Sequence, residues 1–184
     1  MNAFRLIAAV AAIVLPLTGS AGQHSWSGPL INVLQHGDIV YRRGVGAFSD
    51  LVARVGNTQW THIGIAVQVR PGGKVYILHA IEERGVTLEP PAQFFSPSQA
   101  TAGFFQRFHG GDRVADAAQR YLGKPFDLRF DLTDSSGVYC TELVMRALMD
   151  AEIGVFVPKR QIPMLSRPVI FPDDILRAVS SHTH

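Results

Sequence analysis

From His36 onward the chain alternates between segments with apolar residues at every second position and segments with them at every third or fourth. His36-Gly37-Asp38-Ile39-Val40-Tyr41-Arg42 reads as a turn followed by a short strand. Gly44 and Gly46 then open a helix in which Phe48, Leu51, Val52 and Val55 share a face, with Gly56 as its C-terminal cap. Thr61 to Val69 is a strand by its β-branched alternation; Pro71-Gly72-Gly73 turns, and Lys74 to Ile81 returns as a hairpin. Val86 to Glu89 is a further short strand stopped by Pro90-Pro91, and Gly103 to Phe108 another. A helix follows from Gly110-Gly111-Asp112 to about Leu122, with Val114, Ala118, Tyr121 and Leu122 inward and Gly123 as cap. The next helix carries Leu143, Val144, Ala147, Leu148 and Ala151 on one stripe, after the cap-type residues Asp134, Ser135 and Ser136. Glu152 to Pro168 is irregular, and Pro172-Asp173-Asp174 starts a last short helix, leaving His182-Thr183-His184 as a tail. Hairpins beside segregated helices predict an α+β fold, an antiparallel sheet packed against a few helices, and not a doubly wound parallel sheet.

The N-terminus follows another pattern. Arg5 precedes an apolar run from Leu6 to Leu17, and small residues Gly19, Ser20 and Ala21 follow. That is the layout of a secretory signal peptide over residues 1–21, and the run is shorter than the roughly 18 residues of a membrane anchor. The expected mature protein is exported, periplasmic or secreted, has no integral membrane anchor, and forms a single domain over residues 22–184. No internal repeat or low-complexity tract divides it. A net charge of +2, with scattered Lys and Arg and no basic stripe, gives no argument for nucleic acid. Gly44-Val45-Gly46 lacks both the dinucleotide fingerprint and the GK[ST] of a P-loop, so no nucleotide cofactor is implied.

Export changes the meaning of Cys140, the one cysteine among 184 residues. In an oxidising compartment a thiol without a partner in its own chain is either bridged to another molecule or reactive. Its place in the first turn of a helix favours a thiolate, with pKa values of roughly 3.5–7.5 in such settings against about 8.5 for a free cysteine. A cysteine nucleophile needs a base, and histidine is the usual one. Of seven histidines, only His62 and His79 are embedded in apolar strands, on the two arms of one hairpin. Small neighbours on His62's face, Gly64 and Ala66, leave room for a helix to approach. Histidines on adjacent strands can also bind zinc, but no Cys pair or His-x-x-x-His helix supplies further ligands, so no metal is expected.

Gly37-Asp38-Ile39-Val40, Thr61-His62-Ile63-Gly64-Ile65 and Tyr139-Cys140-Thr141-Glu142-Leu143-Val144, in that order, resemble the signature blocks of the permuted papain-like amidases of the YaeF/YiiX type, within the NlpC-type cysteine peptidase clan. The resemblance implies Cys140 as nucleophile, His62 as general base and acid, and acyl transfer without a cofactor. It also implies an orienting group on the following strand. Relatives place Glu there; here it is His79, with Glu82 or Glu83 as the fallback. Tyr41 and Tyr139 are candidate hydroxyl donors to substrate, although core packing is the stronger reading of each. Arg42 and Arg43 could meet a substrate carboxylate, against a solvated strand end as the plainer reading. The implied substrates are peptides or isopeptides such as muropeptides. The alternatives are lipids or acylated small molecules, for which Phe94, Phe95, Phe104, Phe105, Phe126 and Phe130 could line a groove, and a non-catalytic binding module on the same fold.

Overall fold

In the computed structural model, which describes residues 31–163 and 165–182, β1 (Ile39–Gly44) lies between β2 (His62–Gln68) and β5 (Ala100–Gln106). Beyond β2 come β3 (Val75–Ile81) and β4 (Gly85–Glu89), giving the order β4-β3-β2-β1-β5 with every neighbour antiparallel. The expected α+β architecture is therefore the observed one. The leader expected at residues 1–21 and the end of the tail lie outside the described residues. Among the described residues no helix is long and apolar enough to cross a membrane.

The strand register sorts the side chains onto two faces. Ile39, Tyr41, Ile63, Ile65, Leu78, Ala80 and Val86 point to the main core, which is closed by α3 (Gly111–Gln119) and α4 (Cys140–Asp150). Val40, Ala66 and Ile77 point the other way, onto Phe94 and Phe95 at the end of the short helix α2 (Pro91–Phe94). Because Arg42 pairs with His62 and Ala66 with Ile77, the residues Arg42, His62, His79 and Glu89 all belong to this second face. The room beside Gly64 and Ala66 is thus filled by the adjoining strand and by Phe94, while the cysteine helix covers the opposite face.

Two helices differ in detail from the expected pattern. In α1 (Ala47–Gly56) the buried residues are Ser49, Ala53 and Gly56, whereas Phe48 is 66% and Leu51 49% exposed. Small side chains let the helix lie close to its neighbours: Ser49 reaches Thr61, and a Cβ on Gly56 would sit 2.4 Å from the Phe171 ring. Gly56 is therefore a packing residue, and the left-handed cap position falls to Asn57, at φ 42°. In α3 the helix ends at Gln119, and Leu122 is exposed. The stripe of α4, by contrast, is buried throughout.

The start of α4 is held by the chain that leads into α5 (Pro172–His182). Thr141 Oγ1 donates to the Ile170 carbonyl at 2.8 Å, and the Ile170 N–H donates to Tyr139 Oη at 3.3 Å. Asp173 of α5 accepts the Gln59 and Trp60 N–H groups at 3.0 and 3.1 Å, just ahead of β2. One segment thus fixes both the residues flanking Cys140 and the residues leading into His62. Asp134, Ser135 and Ser136 do not cap the helix, because Asp134 is used in its own turn, accepting the Ser136 N–H at 2.8 Å. The helix begins later, at Cys140, and its cap residue is Tyr139, whose N–H donates to Glu142 at 3.4 Å.

Gly64 is where backbone packing and the second face meet. A Cβ there would lie 2.7 Å from Ile77 Cγ2, 3.0 Å from the Leu78 carbonyl and 3.1 Å from His79 Cβ. Gly64→Ala is expected to destabilise the fold by about 1–3 kcal/mol, the usual cost of overpacking, read as a lower urea midpoint at unchanged slope. An unchanged midpoint would show that β3 yields freely at this point.

Candidate active site

Cys140 is the first residue of α4 and remains partly open to solvent. The β2–β3 ladder pairs Ile65–Gln68 with Val75–Leu78 and does not extend to His62. At that end the Ile63 N–H, one residue beyond His62, lies close enough to the thiol to favour the thiolate. The nucleophile segment thus meets the histidine strand where the sheet opens.

On the other side of the same opening, His62 Nε2 and His79 Nδ1 are 2.8 Å apart. The other nitrogen of His79, Nε2, faces Glu89 Oε2 at 3.4 Å. Arg84 Nη2 donates to Glu89 Oε1 at 3.3 Å, and Arg42 Nη1 lies 4.0 Å from Glu89 Oε2. Phe94 forms the floor: its ring centroid is 5.7 Å from that of His62 and 5.2 Å from that of His79, and the Arg42 guanidinium stacks 4.5 Å above it. Arg42 Nη1 also donates to the Phe94 carbonyl at 2.9 Å. His62 is partly exposed, whereas Arg42, His79 and Glu89 are buried.

Burial and charge set the protonation states. Burial, then the Arg42 cation, then His79, hold the His62 imidazole well below its usual 6.5. Burial, Arg42 and Arg84 take His79 down to about 3. Burial also pushes the Cys140 thiol up to about 11, against the N–H groups of Ile63, Thr141 and Cys140 and the charge of Arg42. The helix start therefore does stabilise the thiolate as expected, but loses to desolvation. The resting site holds neutral imidazoles beside a neutral thiol.

His62 and His79 are paired, and Cys140 adjoins the backbone of the residue after His62; Glu82 and Glu83 lie in the exposed β3–β4 turn. Tyr41 is wholly buried, donates to Gln106 at 2.9 Å and packs on Trp60 and Phe104. Tyr139 is buried with its hydroxyl committed to Ile170. Both hydroxyls are thus taken up inside the core, the stronger of the two readings of each tyrosine. The six phenylalanines are divided among three packing clusters. Arg43 is a partly exposed strand end paired with Asp50, but Arg42 is buried in the site. The sequence did not place Arg42 and Glu89 in the site, because only the register between strands sets Arg42 opposite His62 and Glu89 diagonally from His79.

A sheet with a cysteine-bearing helix across one end, and its histidine strand earlier in the chain, is a permuted papain-like arrangement. The chain belongs to the family described as permuted papain-like amidase enzymes, YaeF/YiiX, C92, whose model matches residues 33–174. It is 29% identical over 133 residues to the uncharacterized protein YiiX of Escherichia coli (strain K12), covering 69% of this chain and 63% of that protein's length. A solved protein described as metalloprotein yiiX from Escherichia coli O157:H7 superposes with a TM-score of 0.66 at 21% identity, over 78% of this chain and 92% of that one. Family membership supports cysteine amidase chemistry at the coarse level.

Arg42 opposes the charging of both histidines and favours the thiolate. Arg42→Leu is therefore expected to move the acid limb of the pH–rate profile and the alkylation titration of Cys140 to higher pH, each by about one unit. Unmoved limbs would show that Arg42 is only a packing residue. Folding stability should carry the histidine signature too. His79 binds its proton near 6.5 when unfolded and near 3 when folded, so the unfolded chain holds more protons between those values. Its contribution is full above 6.5 and is lost as pH falls, by about 1.4 kcal/mol per pH unit. Urea midpoints that do not fall between pH 7 and 4.5 would contradict the burial of a neutral His79.

Proposed function

We propose that this protein is an exported cysteine amidase that hydrolyses a peptide or isopeptide bond through a thioester. The observation that carries the reading is the Cys140 thiol held at the Ile63 amide, beside the hydrogen-bonded His62–His79 pair. Cys140 Sγ attacks the carbonyl carbon and its proton passes to His62. The resulting oxyanion is met by N–H groups at the start of α4, where the helix has no carbonyls of its own to satisfy them. Collapse breaks the C–N bond, the amine leaves with the proton from His62, and water activated by His62 hydrolyses the thioester. Because His62 is neutral at rest, it begins the cycle able to accept a proton.

The fit to a metal is poor. His62 Nε2 and His79 Nδ1 face each other at hydrogen-bond distance instead of converging on an ion. Among the described residues no group of three or more His, Cys, Asp or Glu side chains is placed to hold one. The signal-like N-terminus and the amidase family together favour cell-wall stem peptides as the substrate class.

Turnover of muropeptides, measured in parallel with acyl-thioester and phospholipid substrates, tests the reading. Cys140→Ala is expected to abolish hydrolysis while costing about 1–2 kcal/mol of stability. His62→Ala should be damaged more than His79→Ala. Full activity in Cys140→Ala would end the assignment, and turnover confined to lipid substrates would move it to an acyl hydrolase.

A further inference from the structure

We propose that Glu89 is a positioning residue: it accepts the Nε2 proton of His79 and thereby fixes which nitrogen of His62 is the base. The inference rests on the cysteine amidase reading above and concerns how its base is oriented.

Three buried side-chain atoms have no hydrogen-bond partner among the described residues: Arg42 Nε, His79 Nε2 and Glu89 Oε2. Two of them face each other at 3.4 Å. An orphaned buried polar atom is costly, so a donor and an acceptor this close, with no other partner, belong to one another. A carboxylate only accepts. His79 must then carry its proton on Nε2, and a neutral ring with that proton has a bare Nδ1. Nδ1 lies 2.8 Å from His62 Nε2, so His62 must supply the proton of that bond. A neutral His62 protonated on Nε2 has its lone pair on Nδ1, and Nδ1 is the nitrogen that receives the Cys140 proton. The relay thus runs from Glu89 through two imidazoles, each step settled by the one before it.

The surroundings of Glu89 fit this task. Arg84 and Arg42 flank the carboxylate and have only donors to offer, so neither can accept the Nε2 proton of His79 in place of Glu89. Thr87, two residues earlier on β4, sits opposite His79, which puts Glu89 diagonally across the same face.

Glu89→Gln tests the chain of tautomers while keeping the shape. The amide has one oxygen, and Arg84 claims it at the Oε1 position, so the NH2 group turns toward His79. His79 Nε2 must then accept, its proton moves to Nδ1, and His62 becomes protonated on Nδ1 with no lone pair for the thiol. Two readouts follow. Long-range ¹H–¹⁵N NMR of histidine-labelled protein, which needs no substrate, should show both rings protonated on Nε2 in the wild type and on Nδ1 in Glu89→Gln. Turnover number should fall about 100-fold or more with KM within about twofold, as for a base held in the wrong tautomer. Glu89→Asp keeps an acceptor and should retain the wild-type tautomers with a smaller loss. Unchanged tautomers and turnover in Glu89→Gln, alongside an inactive Cys140→Ala, would overturn the relay and leave the amidase standing. Activity surviving in Cys140→Ala would remove the amidase reading itself, whatever Glu89→Gln does.

Discussion

Two neutral imidazoles can share a hydrogen bond only if one lends a proton and the other a lone pair, and at 2.8 Å His62 and His79 have no third option. Either ring charging would bring an imidazolium beside Arg42 in a place that is costly for any ion, and both rings are accordingly held neutral. Much of the second face serves that constraint. Phe94 dries and supports both rings, Gly64 lets β3 come close enough to deliver His79, and Glu89 on β4 stands behind it.

The cost of this dryness is borne by the thiol. A helix start, three backbone N–H groups and a guanidinium all favour the thiolate, yet burial outweighs them. Chemistry in such a site starts from a proton still on sulfur. The proposed hydrolysis therefore depends on the imidazole taking that proton as the carbonyl arrives, not on a preformed anion.

The parts of this arrangement that are local in sequence were legible there. The β2–β3 hairpin, the stripe of α4 and the two strand histidines each show in a short window of apolar spacing. What was hidden depends on register or on size. Arg42 looks like the end of a strand until β1 is laid against β2, and Glu89 looks like the last residue before two prolines until β4 is laid against β3. The large residues of α1 advertised an inward face, but Ser49, Ala53 and Gly56 allow closer contact and took the inside. Tyr41 and Tyr139 carried hydroxyls that looked available, and each is spent on holding the backbone or a core amide.

The segment from Ile170 to Asp173 grips the residues around Cys140 with one end and the residues before His62 with the other. It lies downstream of both in the chain. A polypeptide emerging from the ribosome therefore exposes its histidines first and its cysteine next, and the brace that sets them side by side arrives only afterwards. Under the proposed amidase function, that order of manufacture is a safeguard. The unfinished chain carries these groups as separate side chains, and they are braced together only when the last helix docks.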